Sequence, residues 1–235
     1  MWTPQLDLWS PGRLLLTTPL ASLVAQLPDA QPLSADEAAA FRMADELIAA
    51  FGDQEMWTEG LGIAFVQGLD EDEVIRRLGA DPAECPRTNR EHAPFDPMDF
   101  EESLRHVGVT SVPGSPGGCV ITQDGYMPSD NDVLKAVTPG TCAYGIYYNP
   151  KGGTFGSLAR DGETVAHEEI GLSPFEGDPP AFWHFRFWQS GAFPYGADTL
   201  AYACAQAGLR ITDGRSAVNR QGPVRWVRLP GRLRR

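Results

Sequence analysis

Histidine and cysteine are scarce in this chain, at four residues each, and lysine is scarcer still, at two. Cys85, Cys119, Cys142 and Cys204 stand far apart, with no C-x-x-C pair and no Cys/His cluster at zinc spacing, so neither a zinc site nor a dithiol centre is expected. Reduced thiols in a cytoplasmic protein are the default for such a pattern. Long apolar runs are missing too. Residues 14–27 are mildly apolar but broken by Thr17, Thr18, Pro19, Ser22 and Gln26. Neither a signal peptide nor a membrane span is expected from them. H-E-x-x-H, G-x-x-x-x-G-K-[ST] and G-x-S-x-G are all absent. The glycine runs 114–118 and 151–153 therefore read as hairpin turns rather than phosphate loops. No cofactor and no metal are expected.

What is abundant is punctuation: 25 glycines and 20 prolines, which favour many turns over a helical bundle. Charge is segregated. The net charge is −12 overall, made of +7 in residues 210–235 and −19 in residues 1–209. An acidic body disfavours nucleic acid as a partner, except through the arginine-rich C-terminal segment. That segment folds back onto the body, contacts an acidic partner or stays solvated, and the first or last of these is favoured because it carries no nucleic-acid motif.

The clearest stretch is Leu61 to Asp81. Leu61, Ile63, Phe65 and Val66 read as a buried strand, and Gly68 breaks it. Asp70 caps a helix with Glu73 three residues on. Acidic residues 70–73 suit the positive end of that helix dipole, and Arg76 and Arg77 suit the other end. Val74, Ile75 and Leu78 form its apolar face, and Gly79 and Pro82 stop it. Ile63, Phe65, Val74 and Leu78 are expected to be buried together.

Elsewhere Ser34 with Glu37 opens a helix carrying Phe41, Ala44, Leu47, Ile48 and Phe51 at helical spacing. Asp96-Pro97 opens a short helix toward Arg105, and Ser129 opens another toward Val137. Strands are expected near residues 107–112, 119–123, 141–148, 154–159 and 163–168, the last two joined at Asp161-Gly162. Ala197 to Gln206 reads as a helix, and 209–213 and 224–229 as late strands or tail. The expected architecture is α+β: an antiparallel meander sheet of about five strands, with short helices mainly on one face. Residues 1–33 read as an irregular N-terminal segment, 34–209 as a single α+β domain and 210–235 as a basic C-terminal segment.

The motif Phe65-Val66-Gln67-Gly68-Leu69, followed by Glu73-Val74 and Arg77-Leu78-Gly79, resembles an actinobacterial family of unknown function. So do Val133-Leu134, Thr138-Pro139-Gly140-Thr141 and the Asp161-Gly162 turn, over about residues 57–170. The resemblance implies no catalytic residues.

Candidate chemistry comes from few residues. His167 and Glu169 share a strand face, with Glu168 opposed, and could form a general-base pair. The other reading of these residues is a charged strand end. Cys142 sits on an apolar strand face and reads as a core thiol, whereas Cys85, in a loop, is the more exposed cysteine. The stretch 182–188 is dense in aromatics. As a strand it would set Phe182, His184, Arg186 and Trp188 against Trp183, Phe185 and Phe187. Its alternative is an element buried on both sides. Trp183, Arg186 and Trp188 are of types favoured at binding surfaces. With Tyr144 and Tyr148 they form the candidate binding set. Two functions follow from this. The favoured one is a non-enzymatic protein-partner-binding, regulatory, accessory or immunity-type protein of a bacterial system. The other is a small enzyme using His167 with Glu169 or His184 in an aromatic-lined pocket.

Overall fold

Strand β1 (Leu61–Gln67) lies inside the sheet, and six of its seven residues are buried. Ile63 and Phe65 belong to one apolar cluster, and Ala64 and Val66 to another on the opposite face. A strand apolar on both sides needs cover on both, and this is what the computed structural model has. It describes residues 32–52, 60–171, 180–187, 196–214 and 222–233, with residue 21.

The elements run in order α1 (Ala35–Phe51), β1, α2 (Glu71–Arg77), β2 (Arg87–Asn89), α3 (Phe100–Ser103), β3 (His106–Val112), β4 (Gly114–Ser115) and β5 (Gly118–Asp124). A 3-10 turn at Met127–Ser129 leads to α4 (Asn131–Val137), β6 (Cys142–Tyr148), β7 (Thr154–Arg160) and β8 (Glu163–Glu169). Then come α5 (Pro180–His184), α6 (Ala197–Gln206), β9 (Arg210–Ile211) and β10 (Pro223–Arg228). Eight strands form one sheet in the order β2-β10-β3-β5-β1-β6-β7-β8, every pair antiparallel. The class is α+β as expected, but the sheet has eight strands rather than about five. Helices α1, α5 and α6 contribute to the Phe65 cluster, and α2 and α4 to the Val66 cluster, so both faces are covered. Ile63, Phe65, Val74 and Leu78 are all fully buried, yet the first two lie on one face and the last two on the other.

Local chemistry accounts for the element boundaries. Ser34 and Glu37 form a reciprocal capping box on α1. Asp70 Oδ1 accepts from the Glu73 amide at 2.8 Å, and Glu73 pairs with Arg77 at 2.8 Å and with Arg76. The caps of α3 and α4 are Asp99 and Asp130, a few residues from the expected Asp96 and one from Ser129. Both accept a backbone N–H through the side chain, which a carboxylate does at least as well as a hydroxyl.

The change in charge at residue 210 does not mark a structural boundary. Strand β10 lies between β2 and β3. Arg225 explains the placement: it donates to the Cys85 carbonyl at 2.7 Å and pairs with Asp72 at the start of α2. Glu71, buried, accepts from the Ser111 amide at 2.8 Å and from Arg87 at 2.5 Å. The acidic run of α2 thus fastens both β10 and β2. Leu14, Leu15, Leu16, Leu20, Leu23, Val24 and Leu27, and Arg215, Arg220, Arg234 and Arg235, lie outside the described residues.

Candidate functional site

The sequence-derived candidates separate in space. His167, on outer strand β8, is exposed, and its Nδ1 lies 2.9 Å from Ser157 Oγ on β7. His184 ends α5, edge-on to Phe41 at 5.0 Å, and burial lowers its pKa against the opposing pull of Glu37. It packs with the helices on one sheet face, whereas Ser157 and His167 point to the other, as their pairing with Gly145 and then Ala64 shows. The two histidines do not converge. Ser157 sits in mid-strand, without the exposed turn that serves a nucleophilic serine. Among the described residues, no three His, Cys, Asp or Glu side chains gather as a metal would require. All four cysteines are free and buried, Cys85 included. Cys85 is enclosed because Arg225 closes over its backbone. Burial pushes the Cys119 thiol up to about 12.

Strand alternation places Glu168 opposite to His167, and there it gathers the polar centre of the α1/α6 face. The Tyr144 hydroxyl donates to Glu168 Oε1 from two strands away, and Tyr202 of α6 donates to the same carboxylate at 3.0 Å. Tyr144 spans the distance because residue 156, between them on β7, is glycine: a Cβ there would fall inside the hydroxyl's van der Waals radius. Burial raises the pKa of both phenols, and the Glu168 carboxylate raises it further. Phe185 and Phe187 pack edge-on against Tyr202 at 5.7 and 5.1 Å. One turn earlier on α6, Asp198 is buried near Arg186, and burial pushes its carboxyl up to about 7 against the pull of the guanidinium. Arg186 also pairs with Asp45 of α1 and has positive φ. These groups lock α5 and α6 onto the sheet and onto α1.

The aromatic stretch is therefore not a strand. Phe182, Phe185, Arg186 and Phe187 are buried, while Trp183 is 42% exposed. Tyr144 and Tyr148 are each 1% exposed and belong to the core, so they do not line a surface. Trp188 lies outside the described residues.

The surface aromatics lie elsewhere. Tyr126, 48% exposed, stands edge-on to Tyr147 at 6.3 Å, and Tyr147 pairs in register with Phe155, itself 40% exposed. Glu169 of β8 faces Phe155 on the next strand. The group rests on a rigid base. A Cβ at Gly145 would meet Ser129 Cα and Pro128 O, so glycine there lets the Met127–Ser129 turn lie flat on the sheet and hold Tyr126 against Tyr147. The sequence signal for this group was the alternation in β6, which turns Tyr147 away from Tyr144 and Tyr148. Its contact with Tyr126 is a tertiary fact.

Residues 45–180 match a family of unknown function, DUF6461. The chain belongs to that family. The DUF6461 match includes β1 and α2, the strand and helix that carry the resemblance in the sequence, and it reaches Tyr126, Tyr147, Phe155 and Glu168 as well. Residues 197–228, which supply Tyr202 and β10, lie beyond it. No curated protein and no solved structure matches the chain. No helix among the described residues is long and apolar enough to cross a membrane.

Proposed function

We propose that this DUF6461 protein is a non-enzymatic partner-binding protein of the regulatory or accessory kind, and that Tyr126, Tyr147 and Phe155 are its contact surface. The observation that carries the reading is the grouping of three partly exposed rings on a rigid sheet. Tyrosine and phenylalanine offer large contact area at low entropy cost, and tyrosine is enriched where binding energy concentrates. The acidic body and Glu169 at the rim favour a basic partner. Trp183 presents a further exposed ring on α5. The competing enzyme reading needs His167 to meet Glu169 or His184 in a pocket. Its imidazole instead faces Ser157, and His184 lies across the sheet.

The test is a photo-crosslinking phenylalanine analogue at position 155 of the full chain, expressed in its native host. One dominant protein adduct is expected, competed by unlabelled protein and lost with Tyr147→Ser. Labelling no stronger than from the exposed His92 position would overturn the proposal.

A further inference from the structure

Strand β8 ends the sheet, and among the described residues no strand pairs with its outer side. Its register fixes which main-chain groups face outward. The Ile170 amide donates to the Thr154 carbonyl at 2.8 Å, so Ile170, Glu168 and Ala166 turn their N–H and C=O toward β7. By alternation, those of His167 and Glu169 point away from the sheet. The strand also exposes side chains: Val165 is 56% exposed, and Ala166 and His167 are exposed as well. Its charged residues are Glu163, Glu168 and Glu169, with no lysine or arginine, and Glu163 pairs with Lys135 at 3.7 Å. The inner neighbour of Glu169 is Phe155, so the strand borders the exposed aromatic group.

We infer that β8 is a docking edge, and that an extended basic segment of a partner protein adds to the sheet there as a ninth strand. This rests on the partner-binding reading and supplies its geometry. Main-chain hydrogen bonds to His167 and Glu169 give affinity, and alternate side chains give specificity. Basic residues on the incoming strand pair with Glu169, since opposite charges directly across a ladder are favourable, whereas Glu168 on the other face is taken up by Tyr144 and Tyr202. A second copy of this chain is the wrong occupant. Strand β8 carries three glutamates and no lysine or arginine, so pairing it with another β8 brings like charges together. The incoming strand is therefore basic, alternates with apolar residues that cover Val165 and Ala166, and comes from a different protein.

The probe is an acetylated, amidated heptapeptide of alternating arginine and valine. Its control carries glutamate in place of arginine. Amide hydrogen exchange is read residue by residue on the full chain. With the arginine peptide, exchange at His167 and Glu169 is expected to slow about tenfold or more, while Ala166 and Glu168, already bonded to β7, stay as they were. The glutamate peptide leaves all four unchanged. Glu169→Arg is expected to reverse the preference between the two peptides. His167→Pro removes an outward N–H at a sheet edge, where proline is tolerated, and is expected to abolish the effect. Equal slowing by both peptides, or none at His167 and Glu169, overturns the inference. So does a crosslinked adduct at Phe155 that forms in His167→Pro as it does in the wild type, which leaves partner binding standing without strand addition. Loss of the Phe155 adduct in the wild-type background removes the underlying reading instead.

Discussion

The hydroxyl of Tyr144 lies over Gly156, in the space a side chain at that position would need, and from there it reaches Glu168. The glycine is thus part of the hydrogen bond. Gly156→Ala forces a rigid buried ring to move and breaks its contact with the carboxylate. Overpacking of this kind costs about 1–3 kcal/mol. For a chain of this length a loss of that size lowers Tm by several degrees, at about 2–4 °C per kcal/mol. Tyr144→Phe removes the clashing oxygen. In a double-mutant cycle it is expected to recover part of the Gly156→Ala loss rather than add to it.

Glu168 holds two phenols. Glu168→Gln keeps the shape, removes the charge and leaves the pair with a poorer acceptor. A stability loss of about 1–3 kcal/mol is expected in denaturant unfolding. Burial is the main reason that Tyr144 and Tyr202 titrate high, and the carboxylate adds to it. Ultraviolet titration of Glu168→Gln is therefore expected to show both phenols ionising at lower pH than in the wild type, though still above an exposed tyrosine. An unchanged titration would mean that the carboxylate does not meet the phenols in solution.

Much of the local structure was legible before the fold was. Ser34, Asp70, Gly79 and Asp161-Gly162 carry turn and cap chemistry that depends only on near neighbours, and the elements begin or end where those residues place them. Strand alternation alone puts Tyr144, Ile146 and Tyr148 on one face of β6, and all three belong to the same apolar cluster. Long-range pairing was not legible. Nothing near residues 223–228 says that they slot between β2 and β3, because the reason is Arg225 meeting Asp72 and the Cys85 carbonyl far away in sequence. The stretch 182–187 stayed open between readings for another reason. Dense aromatics satisfy both strand and helix patterns, and the pairing of Arg186 with Asp45 just after α5 is a tertiary contact. The polar centre was only half visible: Glu168 was seen as the residue opposed to His167, but Tyr202 and Asp198 read as ordinary positions of a short helix.

Asp198 makes stability depend on pH. Its carboxyl is pushed up to about 7 in the folded state, chiefly by burial, against an unfolded value of about 3.9. Between those values the folded chain holds a proton that the unfolded chain has released. Stability from this group is therefore fully present below the unfolded value, falls as pH rises toward 7, and is flat above. The total is at most about 4 kcal/mol. Asp198→Asn removes the ionisation while keeping the shape. It is expected to unfold at higher temperature than the wild type near about pH 8, with the advantage gone near about pH 4. A variant less stable than the wild type near about pH 8 would mean that attraction to Arg186 outweighs burial.

The central claim is that the protein works by binding through the ring group at Tyr126, Tyr147 and Phe155. Once the adduct at position 155 has named the partner, the affinity of that purified partner for wild type and Phe155→Ser, measured by calorimetry, tests the claim most directly. Phe155 is partly exposed and outside both apolar clusters, so Phe155→Ser is expected to keep its Tm. The account predicts a loss of about tenfold or more in affinity, equivalent to about 1.4 kcal/mol. Equal affinity for the two proteins, at equal Tm, would contradict it.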